Sequence, residues 1–209
     1  MGINHIIASY MKNKLNLDSE NEEVIIFSLE LLFFLIINIS SVVLAAWLTG
    51  LLKESLVVFA TLFVFKSFIG GAHCSSALRC TVLSILLIPS FGAFSRFIGR
   101  HAGTDFLLFL SAVCIIFSLI LVFLLAPVDS PAKPITSSRH RRNLRLLSFA
   151  FLAFVAVLQA VLISYKAATA SFAIAAINIS IFWQALMLTK QGHAFVNCFE
   201  SFFSVLKLP

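Results

Sequence analysis

Charge is what this chain has least of. Only 11% of its 209 residues are Asp, Glu, Lys or Arg, while 60% are hydrophobic; a soluble domain carries roughly 25% charged residues. With a mean hydropathy of +1.04, the composition excludes an ordinary soluble fold and leaves one integral membrane unit with no second, soluble domain. Cysteine is also scarce. Its four copies, Cys74, Cys80, Cys114 and Cys198, are not spaced as a disulfide framework. Free thiols fit a reducing, cytoplasm-facing site. The start, Met1-Gly2-Ile3-Asn4-His5, lacks the basic region, apolar core and cleavage site of a signal peptide. A Gly-x-Ser-x-Gly elbow is missing as well, which removes the usual support for a serine hydrolase. The net charge of +6 sits mostly in short loops, where it sets topology and attracts anionic lipid or an acidic partner rather than nucleic acid.

What is present is a series of apolar runs. Residues 3–16 place Ile3, Ile6, Ile7, Tyr10, Met11 and Leu15 at helical spacing opposite Asn, Ser and Lys. That predicts an amphipathic helix too short and too polar to span. Apolar runs over about 24–47, 56–69, 78–98, 104–126, 146–165 and 168–188 predict six spans. Pro89 is expected to kink the third. The tail, 190–209, has Phe195, Val196, Phe199, Phe202, Phe203 and Leu206 at amphipathic spacing and reads as a second interfacial helix. The expected fold class is therefore all-α. It is a polytopic membrane bundle forming a single domain over 1–209, with an interfacial helix over 1–22, a six-span catalytic bundle over 23–189 and an interfacial tail.

Orientation follows from the basic residues. With the N-terminus inside, six spans put Lys12, Lys14, Arg79, Lys133, Arg139, Arg141, Arg142, Arg145, Lys190 and Lys207 on the cytoplasmic side. Lys53, Arg96, Arg100 and Lys166 fall outside, and Lys66 stays in a span. The excess inside supports this topology, with both termini cytoplasmic.

The chemistry is concentrated at 68–81, Phe-Ile-Gly-Gly-Ala-His-Cys-Ser-Ser-Ala-Leu-Arg-Cys-Thr. Polar, nucleophilic and basic groups are costly near a bilayer and mark function. His73 moves a proton near neutral pH, and Cys80, seven positions on, forms a thiolate. On one straight helix those positions are about 10.5 Å apart along the axis, too far for proton transfer. The chain must therefore break between them, and a broken or re-entrant segment is expected around 70–80. Gly70-Gly71 permits unusual backbone angles, and Ser75-Ser76 satisfies freed backbone groups. Backbone N–H groups at these four residues are candidates for the oxyanion. A helix N-terminus, Arg79 and a protonated His73 would all favour a Cys80 thiolate. Cys74, directly beside His73, is the poorer nucleophile. Lys66 reaches a head group or the polar pocket. Glu30, a carboxylate inside the first span, is either paired within the bundle or superficial. Glu30, Asp129 or a backbone carbonyl is available to orient His73, and the sequence does not choose among them. His73, Cys74 and Cys80 are too irregularly spaced for a zinc site, and a fourth ligand is not evident, so neither metal nor cofactor is expected. By residues alone the rival class is a non-enzymatic peptide exporter or channel component.

Gly-Gly-Ala-His-Cys-Ser-Ser-Ala-Leu-Arg-Cys-Thr at 70–81, together with Ala-Pro-Val-Asp-Ser-Pro-Ala-Lys-Pro-Ile at 126–135, resembles the accessory gene regulator B (AgrB) family. These are quorum-sensing membrane peptidases of Gram-positive bacteria. The likeness covers nearly the whole chain, and Gly70, Gly71, His73, Arg79 and Cys80 match the family pattern without a gap. Cys74 departs from it, standing where small residues are familiar. The resemblance implies a cysteine endopeptidase of the bacterial cell membrane, with a cytoplasmic active site at His73 and Cys80. Its partner would be an AgrD-like precursor peptide with an amphipathic start, a signal core and an acidic tail. The enzyme would remove the tail and help close the rest into a thiolactone or lactone. Arg139, Arg141, Arg142 and Arg145 would then attract the acidic tail, or serve only to mark topology. A homodimer is the assembly the resemblance suggests.

Overall fold

Apolar runs become helices because backbone in hydrocarbon must satisfy its own N–H and C=O groups. The computed structural model describes residues 3–15, 18–72, 74–128, 137–165 and 170–205; His73, Asp129, Lys133, Lys166 and Lys207 lie outside the described residues. The regular elements are α1 (Ile3–Leu15), α2 (Ser19–Leu48), α3 (Leu52–Ile69), α4 (Ala77–His101), α5 (Thr104–Leu125), α6 (Ser138–Tyr165), α7 (Ala170–Leu186) and α8 (Lys190–Val205). The all-helical expectation holds among the described residues.

Local sequence explains where these helices start and stop. The Asp18 carboxylate caps α2, accepting from the Asn21 N–H at 2.8 Å. α2 ends at Gly50, which has a left-handed φ of 67°. There the Gly50 N–H bonds the Trp47 carbonyl at 3.0 Å and the Leu51 N–H bonds the Ala46 carbonyl at 2.8 Å. This paired closure turns the chain directly into α3. α4 runs through Pro89 without a break, although proline leaves the Ile85 carbonyl without its usual intrahelical donor.

Among the described residues, four helices are long and apolar enough to cross a membrane: Asn21–Leu48, Ala77–His101, Thr104–Leu125 and Ser138–Ser164. A fifth span results if α7 and α8, bent by 89°, are taken as one broken segment. The six-fold count therefore depends on α3 and α7. α3 carries Lys53, Glu54 and Lys66 in 18 residues. α7 has 17 residues, about 26 Å of helix against a hydrocarbon core of about 30 Å.

α7 is the hub, packing against α3, α4, α5 and α6. Its small and branched residues, among them Ala170, Ala175, Ala176, Ser180 and Ala185, are buried, and small residues let helices approach closely in a bilayer. Gly99 of α4 lies against the Phe172 backbone for the same reason. The main core joins Phe65, Cys114, Val122, Leu152, Val155, Ile177 and Ile181. A second cluster joins Val42, Val58, Ile88 and Ala176. Three polar core groups are linked: Gln159 Nε2 donates to Asn178 Oδ1, and Asn178 Nδ2 to Ser111 Oγ, each at 2.9 Å.

The basic run, which its charge and the prolines before it mark in the sequence as a cytoplasmic loop, is helical instead. Arg139, Arg141, Arg142 and Arg145 precede the apolar run, yet they lie in the first turns of α6, which starts at Ser138. The helix begins as soon as the proline-rich stretch ends, because arginine is a good helix former. α1 folds back on α2 through Lys12 and Glu22, 2.6 Å apart.

Candidate active site

The expected break between α3 and α4 is present. α3 ends at Ile69, and Gly70 and Gly71 follow with φ of 71° and 119°, angles that L side chains rarely adopt. A Cβ on Gly70 would also run into the Val128 carbonyl. Gly70 and Val128 form a parallel bridge, with the Val128 N–H bonding the Ile69 carbonyl at 3.0 Å. The Gly-Gly stretch and the Ala-Pro-Val stretch, far apart in sequence, thus meet. Gln184 Nε2 donates to the Gly70 carbonyl at 3.0 Å, and the Ala72 N–H to the Met187 carbonyl at 3.1 Å. The loop is therefore suspended between α5's exit and α7's end.

α4 then restarts the helix. The Ser76 hydroxyl accepts from the Arg79 N–H at 3.3 Å, an N-cap, and the Cys80 N–H bonds the Ser76 carbonyl at 3.1 Å. Cys80 is thus held in the first turn of α4, beyond the break. The Cys74 thiol lies beside Cys80, and that neighbour, with burial, pushes the Cys74 thiol up from its ordinary pKa. Both cysteines line a cavity of about 450 Å³ with Lys66, Thr81, Trp183 and Gln184. Asn38 of α2 braces one wall, donating to Thr81 Oγ1 at 3.2 Å. Leu31, Phe34, Phe59 and Leu62 make the wall largely apolar.

The other sequence-derived candidates are distributed unevenly. The Gly70 N–H bonds the Lys66 carbonyl and the Ser75 N–H donates to the Glu200 carboxylate, so neither is a spare donor in this arrangement. Arg79 Nη1 reaches Ser75 Oγ at 3.5 Å. Glu30 is exposed and makes no ion pair among the described residues; its neighbour Leu31 lines the cavity instead. Arg139, Arg141 and Arg142 are exposed. Arg145 is half-buried, its Nε donating to the Ala126 carbonyl at 2.8 Å, so it supports the turn that feeds Val128 to Gly70. Among the described residues no three His, Cys, Asp or Glu side chains converge as a metal set.

Sequence reasoning missed three groups that hold the loop: Val128, Gln184 and Glu200. Glu200 had a signal. It is the one acidic residue after Asp129 in a basic and apolar stretch. α8 was expected as a surface helix, yet its Val196 packs on Ala72 and Met187 beneath the break.

The model for Accessory gene regulator B matches residues 4–188, most of the chain. The AgrB-like protein 2 of Clostridium perfringens (strain 13 / Type A) is 27% identical over 206 residues, covering 96% of each chain. The AgrB-like protein of strain SM101 of the same species is 26% identical, again with 96% of each chain covered. No solved structure matches the chain. The match spans the helices on both sides of the break, the break itself and the turn that meets it, and on that evidence the chain belongs to the accessory gene regulator B family, whose members take part in agr quorum-sensing peptide processing.

Proposed function

We propose that the protein is a membrane-embedded cysteine endopeptidase that cleaves the C-terminal tail from an AgrD-like precursor and promotes its cyclisation. The observation that carries this reading is the placement of Cys80. It stands in the first turn of a helix, directly after a helix break, facing a cavity with largely apolar walls. His73 lies within that break in sequence and is assigned as the base.

The reaction then runs as two exchanges. His73 takes the Cys80 proton, and the thiolate attacks the carbonyl before the precursor's tail. The C–N bond breaks, His73 returns the proton to the leaving amine, and a Cys80 thioester remains. The precursor's own thiol, or hydroxyl, attacks that thioester and leaves as the ring, restoring the Cys80 thiol. The first step is uphill because an amide is more stable than a thioester, so product accumulates only as the tail is removed. The second is near neutral when the attacking group is a thiol. The apolar walls of the cavity serve by keeping water from the thioester.

The same reading gives the bundle six spans by counting α3 and α7. Both termini and the cavity then face the cytoplasm, α1 and α8 lie at that surface, and exposed Arg139, Arg141 and Arg142 attract the precursor's acidic tail. The test is mass spectrometry of the reconstituted protein with its precursor peptide. A covalent precursor adduct on Cys80, absent in Cys80→Ser, is expected. Tail removal at an undiminished rate by Cys80→Ser would overturn the proposal and favour a transporter.

A further inference from the structure

Cys74 has no part in the reaction above, yet nothing about its position is incidental. Its side chain and that of Cys80 open on the same cavity, and the two thiols are neighbours there. Packing against the cluster of Ala72, Met187 and Val196 holds it there. The chain between the two cysteines is fixed at both middle positions: the Ser75 N–H is tied to Glu200 and the Ser76 hydroxyl caps α4. The other two thiols are placed differently. Cys114 is buried in the main core and Cys198 is exposed on α8. The four cysteines therefore contain one pre-formed pair, and one member of that pair is the assigned nucleophile.

We infer that Cys74 and Cys80 are a reversible oxidation site, closing as a disulfide that takes Cys80 out of service when the cell meets a hydroperoxide. The inference rests on the reading of Cys80 as the nucleophile. A proton kept on Cys74 leaves Cys80 to react first. The Cys80 thiolate attacks one peroxide oxygen; the O–O bond breaks, and the other oxygen leaves with a proton as water or an alcohol. Cys80 is now a sulfenic acid. The Cys74 thiol attacks that sulfur, the S–O bond breaks, and a second water departs with the Cys74 proton. Two thiols have lost two electrons and the peroxide has gained them. A dithiol reductant reverses the change by thiol–disulfide exchange. Because the partner thiol opens on the same cavity, closure competes with further oxidation of the sulfenic acid to sulfinic acid, which ordinary thiols do not reverse.

The experiment uses the full chain in liposomes. It is treated with hydrogen peroxide, alkylated with iodoacetamide, digested without reductant and mapped by mass spectrometry. A peptide linked through Cys74 and Cys80, lost on adding dithiothreitol, is expected. In parallel, precursor cleavage is measured before peroxide, after it and after dithiothreitol, each protein being scaled to its own untreated rate. The wild type regains most of its rate. Cys74→Ala and Cys74→Ser regain roughly tenfold less, with Cys80 recovered as sulfinic acid. The inference is overturned if the wild type yields no Cys74–Cys80 linkage and carries sulfinic acid on Cys80 instead. It is equally overturned if both variants recover as fully as the wild type. Peptide mapping needs neither a variant nor a working enzyme. A linkage found alongside full cleavage by Cys80→Ser therefore sinks the catalytic reading alone.

Discussion

The two ends of the α3–α4 hairpin treat their polar groups in opposite ways. At one end Arg96 Nε and Nη2 grip the Glu54 carboxylate at 2.7 and 2.9 Å, and Nη2 also donates to the Gly50 carbonyl at 2.6 Å. This end borders a cavity of about 670 Å³, which it shares with Trp47, Lys53, Arg100 and Phe172. Its one acid is already committed to a base. At the other end, about 24 Å along α3, the backbone leaves helical geometry and the thiols of Cys74 and Cys80 face the second cavity. The difference that matters is whether reactive groups are locked to each other or held in place by backbone contacts from elsewhere.

That contrast can be broken in five places, beginning with the largest effect. Replacing Cys80 by Ala should lower precursor cleavage at least about a thousandfold, read by mass spectrometry of the released tail, with the melting temperature in detergent little changed. Gly70→Ala should come next. A side chain there meets the Val128 carbonyl at a positive φ, and strain of about 2–3 kcal/mol should reduce cleavage roughly a hundredfold as the bridge to Val128 is lost. Normal cleavage by that variant would show that the bridge is incidental. Arg96→Met tests the opposite end. It leaves buried Glu54 without its partner, so stability should fall by about 2 kcal/mol while cleavage per folded molecule stays within about twofold. Equal losses in both would mean that the two ends are not separable.

The smaller effects sharpen the comparison. Glu200→Gln weakens the acceptor for the Ser75 N–H from a charged to a neutral group, and cleavage should drop roughly threefold. Reversing Arg141 and Arg142 to Glu should weaken processing by roughly the same factor at low salt and less at high salt, because exposed charges are screened. An equal loss at both salt concentrations would count against simple attraction.

How much of this was legible depends on what each residue needed in order to reveal itself. The helices were readable because apolar runs of bilayer length have few alternatives. Gly70-Gly71 announced the break, since a glycine pair between two such runs is a poor helix former. The partners of that break were hidden. Val128 is an ordinary apolar residue whose significance is the carbonyl it sets against Gly70. Gln184 reads as one polar residue in a buried helix until its amide is seen on the Gly70 carbonyl. Cys74 was set aside because adjacency to His73 was weighed, whereas the contact that counts is with Cys80 across the turn. Such pairings are made by tertiary structure and leave no period or motif. The start of α6 was misplaced for another reason: its first turns are basic, and polarity was taken for loop, although helicity follows propensity and prolines rather than charge.

The contacts from α8 have a consequence for the order in which the protein is made. Val196 and Glu200 reach the turn before Cys80 from α8, so the ribosome supplies them more than a hundred residues after Cys80 has been synthesised. A nascent chain whose earlier helices are already in the bilayer carries both thiols without their final brace. Synthesis of α8, rather than insertion of the earlier helices, is then the event that braces the turn before Cys80.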